Sequence, residues 1–479
     1  MRELCKIHYK GTDMIDKGNW YKLEDAEKLP PRAKNLLMRR YVNPGMVKLF
    51  GLLGFEEVWA SSAEGMYITL NDGRRILDMT GGNGVLGLGH NHPRILSVRE
   101  KIAREKRLEI CKAFLSPYVA ALAADISSLL PEDLDYSFFC NSGAEAVEGA
   151  LKTAEKCYGG SRKGLIYTDH SFHGKTHAAM SVSSLDESRS YFQLLEQCYR
   201  VPYGSINAFK EMIEKHRQDV CAFIVEAIHG TRIIFPPEGY MREVRDICTK
   251  NEVVLILDEI YTGFGRTGYW FAFEAEGIVP DIVCYSKAFG GGKASIAGYT
   301  VRRPIFLRAY GSTKDCMMHS STFSGMTEEC ATAIEALNIF KEEGLIEKSR
   351  KLGGYLGERL SALKIKYPER VNDVRGRGLL WGIELKPVFG LNRISKNIFS
   401  EDNQTLASLT GAIVLAALFG RYNLLAYLGF TRRNLIVFSP ALIVNREELD
   451  KAVSVLEEVL KTPWPVLISS FLTKRTIKP

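Results

Sequence analysis

The feature that most constrains this chain is an alternation of short apolar runs with helical stretches between residues 135 and 300. The runs predicted as strands are Tyr136–Cys140, Gly164–Tyr167, Cys221–Glu226, Val253–Leu257 and Asp281–Tyr285. Helices are predicted between them, among others over Ala144–Cys157 and Gly239–Lys250. Fully apolar strands separated by helices indicate an α/β fold with a largely parallel sheet that is covered on both faces.

Residues whose side chains can react, carry charge or form hydrogen bonds follow several of these strands directly. In open parallel sheets the ligand site lies beyond the carboxyl ends of the strands. We therefore expect four groups to meet at one edge of the sheet, namely Asn141-Ser142-Gly143, Glu226, Asp258 and Ser286-Lys287.

The regions outside this alternation predict a second, smaller α+β domain. Upstream, helical spacing covers Arg32–Phe50, and Asn71-Asp72-Gly73 predicts a hairpin turn. Downstream, we predict helices over Thr327–Lys341 and Arg446–Leu460 and strands near Gly378–Glu384, Leu424–Leu428 and Leu435–Phe438. The predicted organisation is an N-terminal segment (1–80) that packs with the small domain (326–465), a large domain (81–325) and a basic tail (466–479), and we expect poor order from Thr462 onward.

Composition narrows the functional classes. The net charge of +7 is spread along the chain, which argues against a nucleic-acid partner. The ten cysteines include no Cys-x-x-Cys pair, and Cys140, Cys221 and Cys284 lie in apolar runs, as expected for buried thiols in a reducing compartment. The N-terminus lacks the apolar core of a signal peptide, and the apolar stretch Leu406–Gly420 is shorter than the roughly 20 residues that span a bilayer. We expect a cytoplasmic protein without a membrane partner.

Two residues at the predicted sheet edge indicate a specific chemistry. Lys287 follows a strand and precedes Gly290-Gly291-Gly292. The amine of a lysine buried at a strand end can attack a carbonyl, and the glycines beside it allow a flat ligand to approach closely. Asp258 ends the preceding strand, and a pyridinium cofactor needs such a carboxylate to keep its ring nitrogen protonated. Taken singly, a surface lysine and a helix N-cap are the commoner explanations.

Three weaker elements fit the same site. Asn141-Ser142-Gly143-Ala144 joins a strand to a helix, which suits either a phosphate site or an ordinary Ser N-cap. Phe172 beside His173 offers an aromatic face, and Thr322 offers a hydroxyl to a phosphate. An aromatic is more often part of a core, and a Ser/Thr cluster is more often a turn.

Five motifs together carry a resemblance to a known family. They are Asn141-Ser-Gly-Ala-Glu-Ala146, Ser171-Phe-His-Gly-Lys-Thr176, Asp258–Gly268, Ser286–Gly292 and Ser321-Thr-Phe-Ser-Gly325. In this order the chain resembles the class III (omega) aminotransferases of pyridoxal-5′-phosphate (PLP) fold type I from about residue 40 to about 460, and the putrescine and ornithine types look most similar.

The resemblance implies roles for particular residues. Lys287 would hold PLP as a Schiff base and later move the proton, and Asp258 would pair with the pyridine nitrogen. Thr322 would reach the phosphate site of a neighbouring subunit in a homodimer, and no metal is implied. The residues expected to bind the cofactor are Ser142, Gly143, Ala144, Phe172, His173, Glu226, Asp258, Ile260, Tyr261, Lys287 and Thr322.

The chain departs from the family at the substrate side. Tyr261 stands where the family usually has Gln, Val437 where many members have a carboxylate-binding Arg, and Thr231 where some have a Glu that shields it. Because a bidentate Arg–carboxylate pair is a strong contact, we expect glutamate and 2-oxoglutarate to bind poorly. One substrate is then a terminal amine or aldehyde, and an amino acid or oxo acid is held by another cation, with Arg232, Arg432 and Arg433 as candidates.

Parts of the sequence match other functional classes. Gly82–Gly87 matches the dinucleotide pattern G-x-G-x-x-G, but Pro93 and the preceding His-Asn-His break the helix that an NAD-dependent dehydrogenase would need. Gly292-Lys293 lacks the Ser or Thr of a P-loop, and His90 with His92 lacks a third metal ligand. An aminomutase, an amino-acid epimerase and a non-catalytic binding protein stay open, and the aminotransferase is favoured.

Overall fold

The computed structural model describes residues 20–110, 112–388 and 403–473. Contacts divide the chain into two units after Trp59. The described part of the first unit contains helices α1 (Leu23–Glu27), α2 (Pro31–Leu37) and α3 (Pro44–Leu52), with a π-helical turn at Met38–Val42. The predicted helix over Arg32–Phe50 is interrupted at Asn43, which is extended at φ −160° and ψ 111° because a following proline disfavours the helical conformation.

The strands of the second unit form three sheets in the part of the chain that the structure describes. They are β1 (Ala60–Glu64), β2 (Tyr67–Leu70), β3 (Arg75–Asp78), β4 (Leu134–Cys140), β5 (Gly164–Thr168), β6 (Cys198–Val201), β7 (Val220–Val225), β8 (Val254–Asp258), β9 (Ile282–Tyr285), β10 (Ala297–Arg302), β11 (Val371–Arg377), β12 (Leu380–Leu385), β13 (Leu424–Leu425), β14 (Tyr427–Leu428) and β15 (Leu435–Phe438).

Helices pack around these sheets. They are α4 (Pro93–Arg104), α5 (Pro117–Leu129), α6 (Gly143–Cys157), α7 (His177–Ser181), α8 (Asp186–Arg189), α9 (Ile206–Lys215), α10 (Tyr240–Lys250), α11 (Phe273–Glu276), α12 (Arg303–Tyr310), α13 (Thr327–Glu342), α14 (Leu345–Lys366), α15 (Asn403–Tyr422), α16 (Arg446–Lys461) and α17 (Trp464–Thr473), with a 3₁₀ turn at Lys287–Gly290.

The central sheet has seven strands in the order β4-β10-β9-β8-β7-β5-β6. Strands β6, β5, β7, β8 and β9 run parallel, whereas β10 is antiparallel to both of its neighbours. Every residue of β7 and β8 is buried, which explains their uninterrupted apolar sequences. The predicted mostly parallel sheet is confirmed, and its five predicted strands are found with their ends shifted by at most two residues.

Two four-stranded sheets accompany the central one. The first has the order β1-β2-β3-β13, and its β2–β3 hairpin turns at the predicted Asn71-Asp72-Gly73. The second has the order β11-β12-β15-β14. The predicted strand over Leu424–Leu428 is wrong as one element, because β13 pairs with β3 in the first sheet while β14 pairs with β15 in the second. The predicted domain boundaries at 80, 325 and 465 stay predictions.

Two predictions near the C-terminus need correction. The apolar stretch at Leu406–Gly420 belongs to the 20-residue helix α15, and Thr405–Tyr422, with a mean hydropathy of 1.4, is long and apolar enough to cross a membrane by length and composition. This helix packs against α16, α17 and strands β12 to β15, and 39% of the Thr405–Tyr422 window is buried. Part of the expected disordered tail is helical, because α17 also packs on α15; residues 474–479 lie outside the described part.

Candidate active site

The carboxyl ends of β7, β8 and β9 lie side by side. Val225 pairs with Leu257, and Asp258 pairs with Cys284, so Glu226 and Asp258 end neighbouring strands and Lys287 comes three residues beyond the paired Cys284. The structure therefore brings together three of the four groups that the sequence predicted at one edge of the sheet. The fourth group, at the end of β4, joins them through Gly143, where an added Cβ would lie 2.8 Å from Ile260 Cδ1.

Lys287 opens the 3₁₀ turn in a left-handed backbone conformation, with φ +51°. This conformation is uncommon for a residue with a side chain, and such strain occurs preferentially at functional sites. Its amino nitrogen lies 3.8 Å from the ring centroid of Tyr261. Burial lowers the pKa of Lys287 to about 8, although Asp258 and Glu226 act in the opposite direction. The lowered pKa increases the fraction of neutral, nucleophilic amine near neutral pH.

Asp258 and His173 form a buried pair. Their atoms Oδ2 and Nδ1 are 2.7 Å apart, and the two residues are 4% and 2% exposed. The other carboxylate oxygen of Asp258 accepts the backbone N–H of Ile260 at 3.0 Å. Among the described residues, Nε2 of His173 is buried without a hydrogen-bond partner. A carboxylate held this firmly in a dry environment is suited to keep a nearby ring nitrogen protonated.

Glu226 ties two loops to the sheet edge. Its carboxylate accepts the backbone N–H groups of Phe172 at 3.1 Å and of Gly230 at 2.9 Å. Burial raises the pKa of Glu226 to about 7, and the charge of Asp258 adds to the increase. Glu226 therefore orients the Phe172 loop and the loop after β7, a more specific function than the sequence indicated.

The start of α6 retains the ordinary capping interaction. The hydroxyl of Ser142 accepts the backbone N–H of Glu145 at 3.3 Å and donates to its carboxylate at 3.1 Å. That carboxylate also accepts the N–H of Asn141 at 3.0 Å. The N-cap interpretation of Ser142 is confirmed, and the phosphate role of Ser142, Gly143 and Ala144 stays a prediction.

Tyr261 lies between two glycines. A Cβ added to Gly84 would be 2.7 Å from ring atom Cε2, and a Cβ added to Gly230 would be 2.5 Å from ring atom Cδ1. The hydroxyl groups of Tyr261 and Tyr427 are hydrogen-bonded, and that of Tyr427 lies 3.4 Å from Ser439 Oγ. Gly84 belongs to the Gly82–Gly87 run, which is a turn-rich loop here, as predicted.

Two aromatic pairs adjoin the site, Phe172 with Phe430 and Tyr261 with Tyr427, and we refer to these four residues as the aromatic wall. The Phe172 and Phe430 ring centroids are 5.4 Å apart, and Lys175 Nζ lies 5.1 Å from the Phe430 centroid. The sequence did not indicate Tyr427 or Phe430, because both lie in a C-terminal segment whose place depends on tertiary packing.

The position of the absent family arginine is apolar. Val437 is 1% exposed and packs in a cluster with Ile233, Leu380 and Leu435, against which Tyr261 and Tyr427 also pack. Thr231 lies two residues before Ile233. The substitution of a carboxylate-binding arginine by an apolar residue is thus matched by apolar neighbours.

The remaining candidates lie in different surroundings. Arg432 pairs with Glu384 at 2.6 Å, and Arg433 is exposed. Thr322 is also exposed, and the carbonyl of its neighbour Phe323 accepts a hydrogen bond from Asn141 at 3.1 Å. His90 pairs with Asp78 at 2.9 Å, and no group of three or more His, Cys, Asp or Glu residues suited to a metal is found in the described ranges.

Comparison with known proteins identifies the family. The model of the aminotransferase class III family matches residues 55–460. The chain belongs to the class III aminotransferase family. Class III aminotransferases depend on PLP, and the fold is that of PLP fold type I.

Relatives and solved structures agree with the assignment of this class III aminotransferase. It is 35% identical over 354 residues to the aminotransferase PigE of a Serratia species, covering 73% of this chain but only 41% of that protein. It resembles the ornithine aminotransferase of Toxoplasma gondii at 26% identity and a TM-score of 0.77, covering 91% of this chain and 96% of that one. An (S)-enantioselective omega-transaminase from Thermomicrobium roseum matches at 25% identity and a TM-score of 0.75, covering 86% and 94%.

The residues present fit the family's cofactor. Lys287 supplies an amine of lowered pKa for its aldehyde, and the buried Asp258 supplies a carboxylate for its ring nitrogen. The unpartnered Nε2 of His173 offers a polar atom on the far side of the pair. Phe172 supplies an aromatic face on a loop fixed by Glu226.

Proposed function

We propose that this class III aminotransferase moves an amino group between a terminal amine or aldehyde and an amino acid or oxo acid by a ping-pong mechanism. The observation that carries the proposal is the amine of Lys287 beside the buried Asp258–His173 pair, at the ends of neighbouring strands. Bound PLP supplies an electron sink for the bond that breaks at the amine carbon.

The chain's own residues divide the work. Lys287 would hold the cofactor and, as the free amine, would take a proton from the amine carbon as general base and deliver it to the cofactor's aldehyde-derived carbon as general acid. Asp258 keeps the ring nitrogen protonated, and His173 holds that carboxylate in place at 2.7 Å. Glu226 accepts the backbone N–H of Phe172 and would hold this residue where its ring can face the cofactor. The apolar surface of the aromatic wall favours substrates with an apolar body.

A single-turnover spectrum tests the proposal. The PLP-loaded protein is mixed separately with L-glutamate, L-alanine and putrescine, and loss of the yellow absorbance is followed. Conversion by putrescine or alanine but not by glutamate supports the proposed activity and substrate class. Substantial turnover by Lys287→Ala without added amine contradicts the role of Lys287. Persistent yellow colour with every donor favours an amino-acid epimerase or an aminomutase.

We further propose a homodimer in which Thr322 reaches the phosphate site of the partner. Support comes from large apolar side chains exposed near the Thr322 loop, including Phe323 (58%), Met317 (67%) and Met318 (55%). Light scattering is expected to give the dimer mass. Thr322→Ala is expected to weaken PLP retention without changing that mass, whereas a monomer that retains PLP fully contradicts the proposal.

A cytoplasmic location is also proposed. Cys140, Cys221, Cys248 and Cys284 are buried free thiols, as expected in a reducing compartment. Cell fractionation is the test, and recovery from an oxidising compartment or a membrane fraction contradicts it.

A further inference from the structure

One arginine bridges two loops that carry the aromatic wall. Arg232 donates from Nε to the hydroxyl of Thr431 at 2.7 Å, and its Nη1 lies 3.5 Å from Nε2 of His170. Thr431 directly follows Phe430, and His170 comes two residues before Phe172. Because the rings of Phe172 and Phe430 are in contact, Arg232 lies at the margin of the surface on which the substrate is expected to rest.

The neighbouring arginines are already engaged by a carboxylate. Glu384 is bound by Arg432 at 2.6 Å and by Arg375 at 2.9 Å, and Arg375 also pairs with Asp373 at 3.0 Å. Arg232 makes no ion pair within the described ranges of the chain. Since a guanidinium has five N–H donors and two described acceptors are used here, Arg232 retains donors for an anion.

The surroundings of Arg232 compensate its charge only in part. Burial lowers the pKa of Arg232 and the positive charges of Arg432 and Arg375 act in the same direction, whereas Asp169 and Glu384 oppose them without forming an ion pair with Arg232 in the described part of the chain. The pKa of His170 is lowered by burial and by Arg232, so the imidazole accepts from Arg232 in its neutral form. An incoming carboxylate would offset both the desolvation of Arg232 and its repulsion by Arg432.

We propose that Arg232 binds the carboxylate of the amino-acid or oxo-acid substrate at the edge of the aromatic wall. The inference rests on the proposed function and names the residue that recognises one of its two substrate classes. The alternative place on β15 is closed, because Val437 is buried among apolar residues. A planar guanidinium suits this task because it can bind a carboxylate through two parallel hydrogen bonds.

The test compares substrates with and without a carboxylate. Arg232→Ala is measured in the single-turnover reaction with L-alanine and with putrescine. The concentration of L-alanine at half-saturation is expected to rise about 10- to 150-fold, the range for a lost charged hydrogen bond, while that of putrescine stays within about twofold. Arg232→Gln, which keeps a donor for Thr431, is expected to lose affinity similarly, and it guards against a folding defect.

Matched variants and a binding measurement complete the design. Arg433→Ala removes an exposed arginine close to Thr431, the residue that Arg232 contacts. Arg432→Ala removes the arginine that is bound to Glu384. Arg433→Ala is expected to leave L-alanine saturation close to that of the parent, and Arg432→Ala, which also frees Glu384 near Arg232, is expected to change it less than Arg232→Ala does. Calorimetric titration with 3-phenylpropionate, a carboxylate without an amine, is expected to show the weakest binding in the Arg232 variants.

The outcomes separate this inference from the proposed function. If the parent converts amines but the Arg232 variants saturate normally with L-alanine, Arg232 does not bind the carboxylate and the proposed function stands. The same conclusion follows if the two substrates lose affinity equally, or if Arg432→Ala or Arg433→Ala alone weakens L-alanine binding. If the parent converts no amine but binds 3-phenylpropionate through Arg232, the proposed function fails and the carboxylate site stands.

Discussion

Tyr261 is clamped between Gly84 and Gly230, and substitution of Gly84 tests this arrangement quantitatively. Gly84 has φ +87°, and a Cβ there would lie 2.7 Å from Tyr261 Cε2 and 3.7 Å from Lys287 Cδ. The ring cannot swing away, because Gly230 approaches its opposite edge. Gly84→Ala is therefore expected to destabilise the fold through two contributions. The left-handed backbone conformation costs about 1–2 kcal/mol for a residue with a side chain, and overpacking costs about 1–3 kcal/mol.

Gly73→Ala provides the matched control. Gly73 has φ +83° but no atom within 4 Å of an added Cβ, so it carries the backbone cost alone. Thermal unfolding is expected to show Gly84→Ala less stable than Gly73→Ala by about 1–3 kcal/mol, the overpacking contribution. Gly84→Ala is also expected to retain PLP less well, since the added methyl group would lie 3.7 Å from Lys287 Cδ and would press on the ring that the Lys287 amine contacts. Equal stability and unchanged PLP retention in both variants would refute the clamped ring.

Two further predictions concern the charges at the sheet edge. The rate of covalent PLP attachment to the apoprotein is expected to rise with pH and to reach half its maximum near pH 8. The reason is that burial lowers the pKa of Lys287 to about 8 and only the neutral amine attacks. A midpoint near the ordinary lysine pKa of 10.5 would contradict this prediction. Asp258→Ala is expected to reduce turnover by several orders of magnitude, since the ring nitrogen would lose the carboxylate that keeps it protonated. Steady-state kinetics on the PLP-loaded variant measures this, and parent-like turnover would show that Asp258 is wrongly placed.

The cofactor side of the site was predictable because its signals are local. Asp258 and Lys287 each follow a short apolar run, and the topology of a parallel sheet brings the ends of such runs to one edge. The antiparallel strand β10 was missed, since Ala297–Arg302 includes a glycine and lies directly after a loop rich in glycines. The predicted position of the site is correct without β10, because β8 and β9 pair directly with each other.

The substrate side was not predictable in the same way. Tyr427 comes directly after the point where the chain leaves one sheet for another, between β13 and β14, and no local pattern marks that crossing. The pairing of Arg432 with Glu384 joins residues 48 positions apart. Sequence alone therefore gave three arginines of equal standing, and only the ion pairs of the folded chain distinguish Arg232 from Arg432.

The apolar position of Val437 leads to a last prediction about restoring the family's arginine. Val437→Arg places a charge beside Ile233, Leu380 and Leu435, and an unpaired buried charge is expected to destabilise the fold by about 3–5 kcal/mol. Val437→Met, an apolar side chain of comparable length, separates size from charge and is expected to cost about 1–3 kcal/mol.

Adding Thr231→Glu to Val437→Arg supplies the missing counter-charge. Because Thr231 lies two residues from Ile233, which packs against Val437, the double variant is expected to recover part of the lost stability and to gain reactivity with L-glutamate. Thermal unfolding of all four combinations gives the coupling energy between the two positions. A Val437→Arg variant as stable as Val437→Met would show that the arginine reaches an ion-pair partner or water at position 437. The apolar surroundings of Val437 would then not explain why the family's arginine is absent.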